Sequence, residues 1–165
     1  MADLLPDPFF FQQLAHMHAS SSVILRDEHG RIVVEYPNYR NHWLLPGGCI
    51  DAGEDARLAA QREVREELGI HVEIGRMLVV SWVAANVRSG SSAGIHFLFD
   101  AGTIPEAQLR SRIRIQESEL DGWGFIDESQ LHKLSSWGAA RTRYGLDVLA
   151  GLREPGYIGP DRRIA

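Results

Sequence analysis

The stretch from Gly48 to Ile70, GCIDAGEDARLAAQREVREELGI, constrains this chain more than any other. It begins on a Pro46-Gly47-Gly48 corner and stops at Gly69, a residue suited to ending a helix. Glu54 to Leu68 contains helix formers throughout and no internal Gly or Pro, so a helix is expected there. At 100° per residue with Glu63 at 0°, Glu66 falls at about −60° and Glu67 at about +40°. The three carboxylates then share roughly 100° of arc. Ala56, Ala60, Val64 and Leu68 form an apolar stripe beside them, and Ala59 leaves space one turn earlier. The acidic seam is therefore expected to border the buried face.

Spacing leaves two readings of that seam open. One is a solvated acidic helix with intrahelical ion pairs, for which Arg62 and Glu66 are spaced i,i+4. Against it, Glu63 and Glu67 are also i,i+4, where like charges destabilise. The other reading supplies the compensating cation from outside, as a divalent metal that prefers oxygen ligands, Mg²⁺ or Mn²⁺.

The remaining bounds are modest. A chain of 165 residues, 44% hydrophobic and 24% charged, suits one globular domain with a real core. A net charge of −5 gives no reason to expect a nucleic-acid partner, and any anionic substrate needs cations supplied locally. Cys49 is the only cysteine, so no intrachain disulfide can form. Asp3 and Asp7 stand where a secretion signal would be basic, and no segment approaches a membrane span. A cytoplasmic protein without membrane partners is expected.

Along the chain, residues 1–19 read as an irregular arm and a short helix from Phe9 to Ala19, and residues 20–153 as the main folded domain. Residues 154–165 read as a loose tail. The Phe9–Phe11 cluster suits a homodimer contact or, equally, an intramolecular one. Ser22–Asp27 and Arg31–Tyr36, joined by Glu28-His29-Gly30, read as a β-hairpin. Trp43–Leu45 reads as a short buried strand. His71–Ala85 reads as one or two strands, Asn86–Gly94 as a flexible loop, and Ile95–Asp100 and Gly122–Ile126 as strands. Asp127 is placed to cap a short helix through Leu134, and Arg141–Leu152 reads as the final helix. Strands around one central helix, with a second helix at the end, imply an α/β fold with helices on both faces of a mixed sheet.

At this point the chain resembles the Nudix hydrolase family. The pattern of Gly, five residues, Glu, seven residues, then Arg-Glu-aliphatic-x-Glu-Glu-x-Gly-aliphatic is the Nudix box. Gly48, Glu54, Arg62, Glu63, Val64, Glu66, Glu67, Gly69 and Ile70 fill it without exception. The preceding Trp43-Leu44-Leu45-Pro46-Gly47 resembles the usual lead-in. The resemblance implies a Nudix-type α/β/α sandwich with a mixed central sheet, over about residues 20–150. It also implies hydrolysis of a nucleoside diphosphate linked to another moiety, X. By position, Glu63, Glu66 and Glu67 would bind Mg²⁺ (or Mn²⁺), with the Gly48 or Gly47 carbonyl as a further ligand. Glu54 would assist or hold the loop, and Arg62 would pair with the box carboxylates and orient them. The base that takes the water's proton is sometimes a box glutamate and sometimes one from a later loop, so Glu63, Glu67 and Glu119 are the catalytic candidates, with Glu117 beside the last.

For recognition of a small nucleotide-type substrate the candidates are Tyr39, Arg40, Asn41 and His42, just before the box, and Arg88 in the Ser/Gly-rich loop. Each also fits as an ordinary surface residue. The markers of the ADP-ribose, diadenosine-polyphosphate, NADH and coenzyme A branches are missing; Ala84-Ala85-Asn86 and Val87-Arg88 stand where the first two would be. That leaves a nucleoside triphosphate or a nucleotide-sugar as the default. Trp43, Trp82 and Trp123 read as core residues, and His96 as facing either core or pocket. Nothing near Cys49 suggests a thiolate nucleophile. Two alternatives compete: a non-catalytic nucleotide-sensing module on the same fold, and an isoprenoid-diphosphate isomerase, whose cysteine and glutamate arrangement is not evident.

Overall fold

A computed structural model of the chain describes residue 12 and residues 14–87 and 90–160. Strand β1 (His18–Arg26) is the axis of its sheet. Along one edge it pairs in parallel with β5 (Gly94–Thr103), from His18↔Gly94 to Arg26↔Thr103. Along the other edge it pairs antiparallel with two partners in succession. Ser20–Ser22 meet β3 (Gly47–Cys49), and Arg26 meets Ile32 of β2 (Ile32–Pro37). β6 (Leu120–Ile126) extends the sheet beyond β2, and β4 (Met77–Val83) then β7 (Gly156–Ile158) extend it beyond β5, giving the order β6-β2-β1-β5-β4-β7. Parallel and antiparallel pairs coexist, so the sheet is mixed.

Strand alternation divides the core into two layers. Val23, Leu25 and Val33 face α1 (Ala56–Leu68), with Ala60, Val64 and Leu68 packed on them; Leu109 of α2 (Glu106–Arg112) joins the same layer. Ile24, Ile32 and Val34 face the opposite way, toward Tyr144 and Val148 of α3 (Ser136–Leu149). Each fully buried Val or Leu contributes about 1.5–3 kcal/mol. At Gly145 a Cβ would come 2.8 Å from Ile24 Cδ1, so glycine lets α3 lie directly on the sheet. The result is the α/β/α sandwich expected.

Several local expectations need correction. His18 and Ala19 belong to β1, not to a helix, because strand partners on both edges of this region claim their backbone groups. The Phe9–Phe11 cluster lies outside the described residues. Trp43–Leu45 makes only isolated bridges, Glu35↔Leu44 and Trp43↔Leu134; the short strand is instead Gly47–Cys49. The tail expected from residue 154 carries β7, parallel to β4 through Val79↔Gly156, Val80↔Tyr157 and Ser81↔Ile158, with Ile158 buried. The domain therefore extends past residue 153. Helix α3 begins at Ser136, five residues before expectation, because Ser135 Oγ accepts the Gly138 N–H at 3.0 Å and caps it. Residues 71–76 form no strand, although Val72 and Ile74 are buried.

Candidate active site

The platform of the site is α1. Asp55 caps its start by accepting the Arg57 N–H at 2.8 Å and the Leu58 N–H at 3.0 Å. Gly69 closes its end at φ 66°, in the left-handed region, with its N–H on the Arg65 carbonyl. Seating Ala60, Val64 and Leu68 in the core fixes the helix rotation and grades its acids by depth. Glu67 is 4% exposed, whereas the side chains of Glu63 and Glu66 are 15% and 46% exposed.

Arg62 supplies the internal cation of this seam. Its Nε donates to Glu54 Oε1 at 3.0 Å and its Nη2 to Glu54 Oε2 at 3.0 Å. Its Nη1 donates to Glu63 Oε1 at 2.9 Å and Glu66 Oε2 at 3.1 Å. Nη2 also holds the Cys49 carbonyl at 2.9 Å. One guanidinium thus ties three carboxylates and the β3 backbone together, using the fixed fork that only arginine offers. Bonds to Arg62 hold the Glu54 carboxyl below its ordinary range. The Asp51 N–H completes the loop on Glu54 Oε2 at 3.2 Å.

The glycine pair lets β3 approach the helix. Gly47, at φ 141°, donates its N–H to Glu67 Oε2 at 2.8 Å. A Cβ on Gly47 would overlap the Ser21 carbonyl oxygen and reach 2.5 Å from Ser22 Cα. A Cβ on Gly48 would overlap Glu63 Oε1, so that residue must be glycine for the carboxylate to rest against the backbone.

Beneath the seam lies a residue that the sequence reading missed. Glu35 of β2 is fully buried. Val33, two residues earlier, faces α1, so Glu35 faces it too. No N–H or hydroxyl group reaches its carboxyl oxygens among the described residues; the one group it meets is the Glu67 carboxyl, with which it can share a proton. Burial raises its pKa well above the ordinary carboxyl value, and the Glu67, Glu63 and Glu119 charges push it further. Burial likewise pushes Glu67 up to about 8, opposed by the Gly47 N–H and reinforced by Glu63. Glu63 is raised as well, by burial first, with Arg62 pulling the other way. The available signal was a lone acid inside the apolar run Ile32-Val33-Val34-Glu35-Tyr36.

The loop after α2 is pinned to the end of α1 by the Arg114 N–H on the Leu68 carbonyl and the Gln116 N–H on the Glu67 carbonyl, at 2.9 and 3.0 Å. Glu119 follows, exposed, with Oε1 accepting from Gln116 Nε2 at 3.2 Å. Its charge is felt by Glu35, Glu63 and Glu67, so Glu119 lies near the seam. Tyr39 stands exposed at the rim with the Arg40 guanidinium 5.7 Å from its ring centroid. Partial burial raises its hydroxyl pKa, and the Glu67 and Glu119 charges add to the effect. His42 contacts Asn41 Oδ1 at 3.2 Å and no seam carboxylate. Arg88 lies outside the described residues.

Among the described residues no three His, Cys, Asp or Glu side chains already converge as a metal cage. The donor chemistry nevertheless fits a divalent cation. Glu35 and Glu67 are buried carboxyls with no cation or N–H of a side chain between them, Glu67 is held at a raised pKa, and Gly48 leaves its backbone open against Glu63. An all-oxygen set of this kind suits a hard cation.

Comparison with known proteins agrees with this geometry. A family model described as NUDIX domain matches residues 16–145. The Xenopus laevis protein named nucleoside diphosphate-linked moiety X motif 6 is 36% identical over 67 residues, which are 39% of this chain and 31% of that protein. An uncharacterised Nudix hydrolase of Listeria monocytogenes is 26% identical over 151 residues, 83% of this chain and 79% of that one. Several of the curated relatives are matched over about a third of their length or less. A solved structure titled UDP-X diphosphatase superposes with a TM-score of 0.66 at 18% identity, covering 93% of this chain and 75% of that one, and shows the shared fold. The described residues include no helix long and apolar enough to cross a membrane. With its box complete and its sandwich and acidic helix in place, the chain belongs to the Nudix hydrolase family.

Proposed function

We propose that this protein hydrolyses the diphosphate linkage of a nucleoside diphosphate joined to X, a nucleoside triphosphate or a nucleotide-sugar, with Mg²⁺ or Mn²⁺. The observation that carries the reading is the acidic seam itself, with Glu67 pushed up to about 8 against the buried Glu35 carboxyl. Such crowding is stable only when protons or cations compensate it. The names of the Xenopus relative and of the UDP-X diphosphatase neighbour support the same class.

Glu63, Glu66 and Glu67 would hold the metal, with the Gly48 carbonyl beside them. Glu63 and Glu66 each give one oxygen to Arg62 and keep the other for a cation. When bound, the metal neutralises the diphosphate and acidifies a water that attacks phosphorus. Arg62 and Glu54 keep the carboxylates oriented while the substrate's charge enters. The Gly47 N–H holds Glu67 in place, and Glu35 gives the site a proton reservoir at its floor. Glu119, exposed and near the seam, takes the proton of the attacking water. Tyr39 stacks on the base, with Arg40 and His42 beside it.

The test is a panel of nucleoside triphosphates and nucleotide-sugars, with Mg²⁺, with Mn²⁺ and with chelator, scored by release of nucleoside monophosphate. Metal-dependent release from at least one compound is expected. Tight binding of one nucleotide without turnover of any would instead mark a nucleotide-sensing module.

A further inference from the structure

The opposite face of the sheet, under α3, carries a polar row that the acidic seam does not use. Ser20, His96 and Ser81 are register partners on β1, β5 and β4. His96 Nδ1 lies 2.7 Å from Ser20 Oγ and His96 Nε2 lies 2.7 Å from Ser22 Oγ. Burial, then the Arg141 charge, holds the imidazole well below its ordinary pKa, so it is neutral. Arg141 reaches over this row from α3. Its Nη1 lies 3.4 Å from Ser81 Oγ, and it pairs with no carboxylate among the described residues. Burial lowers its pKa to about 10, which leaves it cationic at neutral pH.

A cavity of about 90 Å³ opens beside it, with Trp43, Leu45 and Leu134 on the apolar side and Ser22, His96 and Arg141 on the polar side. The Trp43 wall is fixed by Tyr36, 4.4 Å away between ring centroids, and by Lys133 Nζ, 4.2 Å from the Trp43 centroid. The start of α3 borders the cavity through Ser135 and Gly138 and adds the positive end of a helix dipole. A complete small-molecule pocket measures roughly 300–1,000 Å³. This space therefore suits one substituent of a ligand and not the whole of it.

A half-buried guanidinium without a counter-charge is poorly compensated, and its planar fork matches a carboxylate or a phosphate. We propose that this cavity is a specificity subsite for an anionic oxygen group, carboxylate or phosphate, carried by the X moiety of the substrate, with Arg141 as its charge partner. The inference rests on the hydrolase reading for its substrate. Gly47 joins the two sites: it lines the cavity, and its N–H holds Glu67. One molecule can thus place its diphosphate at the seam and its acidic substituent under α3.

The first test needs no turnover. The unfolding midpoint of the metal-free protein is measured with glucuronate, with inorganic phosphate, and with chloride at equal ionic strength. One of the two oxyanions raises the midpoint above chloride, and which one does so separates carboxylate from phosphate. Arg141→Gln loses that rise, yet without added anion it unfolds no lower than wild type, because it removes a half-buried charge that pairs with no carboxylate among the described residues. Arg141→Lys, which keeps the charge but not the fork, retains less than half of the rise and decides the matter if the Gln variant does not fold. No rise over chloride in wild type, or a full rise in both variants, overturns the subsite. The second test compares a nucleoside diphosphate hexose with its uronic acid and its phosphorylated counterpart. Wild type prefers one acidic form at least tenfold in kcat/KM, and Arg141→Gln cuts that ratio at least tenfold. Turnover of all three at equal kcat/KM overturns the subsite and leaves the hydrolase standing. An oxyanion response without turnover of any compound supports the anion site and overturns the hydrolase.

Discussion

The Gly47 N–H donates to Glu67 Oε2 at 2.8 Å, which joins the β3 corner to the deepest carboxylate of α1. Glu67 is thereby held between a backbone donor and the buried Glu35. The bond depends on a strand packed so closely that neither residue of the glycine pair has room for a side chain.

The two glycines should fail differently. At Gly47→Ala the new methyl meets backbone atoms of Ser21 and Ser22 at an unfavourable φ, and backbone cannot move aside. A loss of more than about 2 kcal/mol is expected by urea denaturation. At Gly48→Ala the methyl meets the end of the Glu63 side chain, which can swing away. Stability should change by less than about 1 kcal/mol, while metal-dependent activity falls at least about tenfold.

Removing the shared cation should destabilise the seam. Arg62→Ala leaves Glu54, Glu63 and Glu66 repelling one another with the Cys49 carbonyl unpaired. The expected cost is about 2–3 kcal/mol in chelator. Millimolar Mg²⁺ should restore part of it, and an equal loss with and without metal would argue against a metal in the seam.

The seam also predicts a pH dependence. A carboxyl whose folded pKa is raised binds its proton more tightly in the folded state. Its stabilisation is complete below the unfolded value, about 4.3, and is lost as the pH rises through the folded value, about 8 for Glu67. Glu35 and Glu63 move in the same direction. Asp27, Glu54, Glu106 and Asp127 are lowered and act only on the acid side, below their ordinary values. His96, held well below its ordinary value, stays neutral in the fold and costs stability as the pH drops below about 6.5. The decline assigned to the raised carboxyls is therefore read above that value: the metal-free protein should weaken from about pH 6.5 to about pH 8.5 in urea titrations. Divalent metal should flatten the decline; a rise in metal-free stability over this range would contradict the assignment.

Glu119 and its neighbour Glu117 offer a paired test of the base. Glu119→Gln should lower kcat by about 10²-fold and leave the fold intact, since the side chain is exposed. Glu117→Gln should stay within about twofold. A larger effect at Glu117 would reassign the base.

The sandwich, the capped helix and the box acids were legible because each follows from a local period, a Gly stop or a fixed spacing. The Arg62–Glu66 pair was legible from its i,i+4 spacing, whereas the bonds to Glu54 and Glu63 followed only from the family resemblance. Glu35 was not, because its partner Glu67 is distant in sequence and only the β2–α1 packing joins them. Arg141 escaped for the same reason: its surroundings come from β1, β4 and β5. Strand β7 was hidden in a Gly- and Pro-containing tail that is ordered only by pairing with β4.

The most direct measurement is nucleoside monophosphate release by wild type and Glu67→Gln on the best compound of the panel, at saturating Mg²⁺. The substitution keeps the Gly47 hydrogen bond available and removes only the charge. The account predicts a metal-dependent wild-type rate, a loss of at least about 10²-fold in kcat/KM, and an unchanged fold by circular dichroism. A Glu67→Gln enzyme that retains wild-type activity, or a wild-type rate indifferent to chelator, would contradict it.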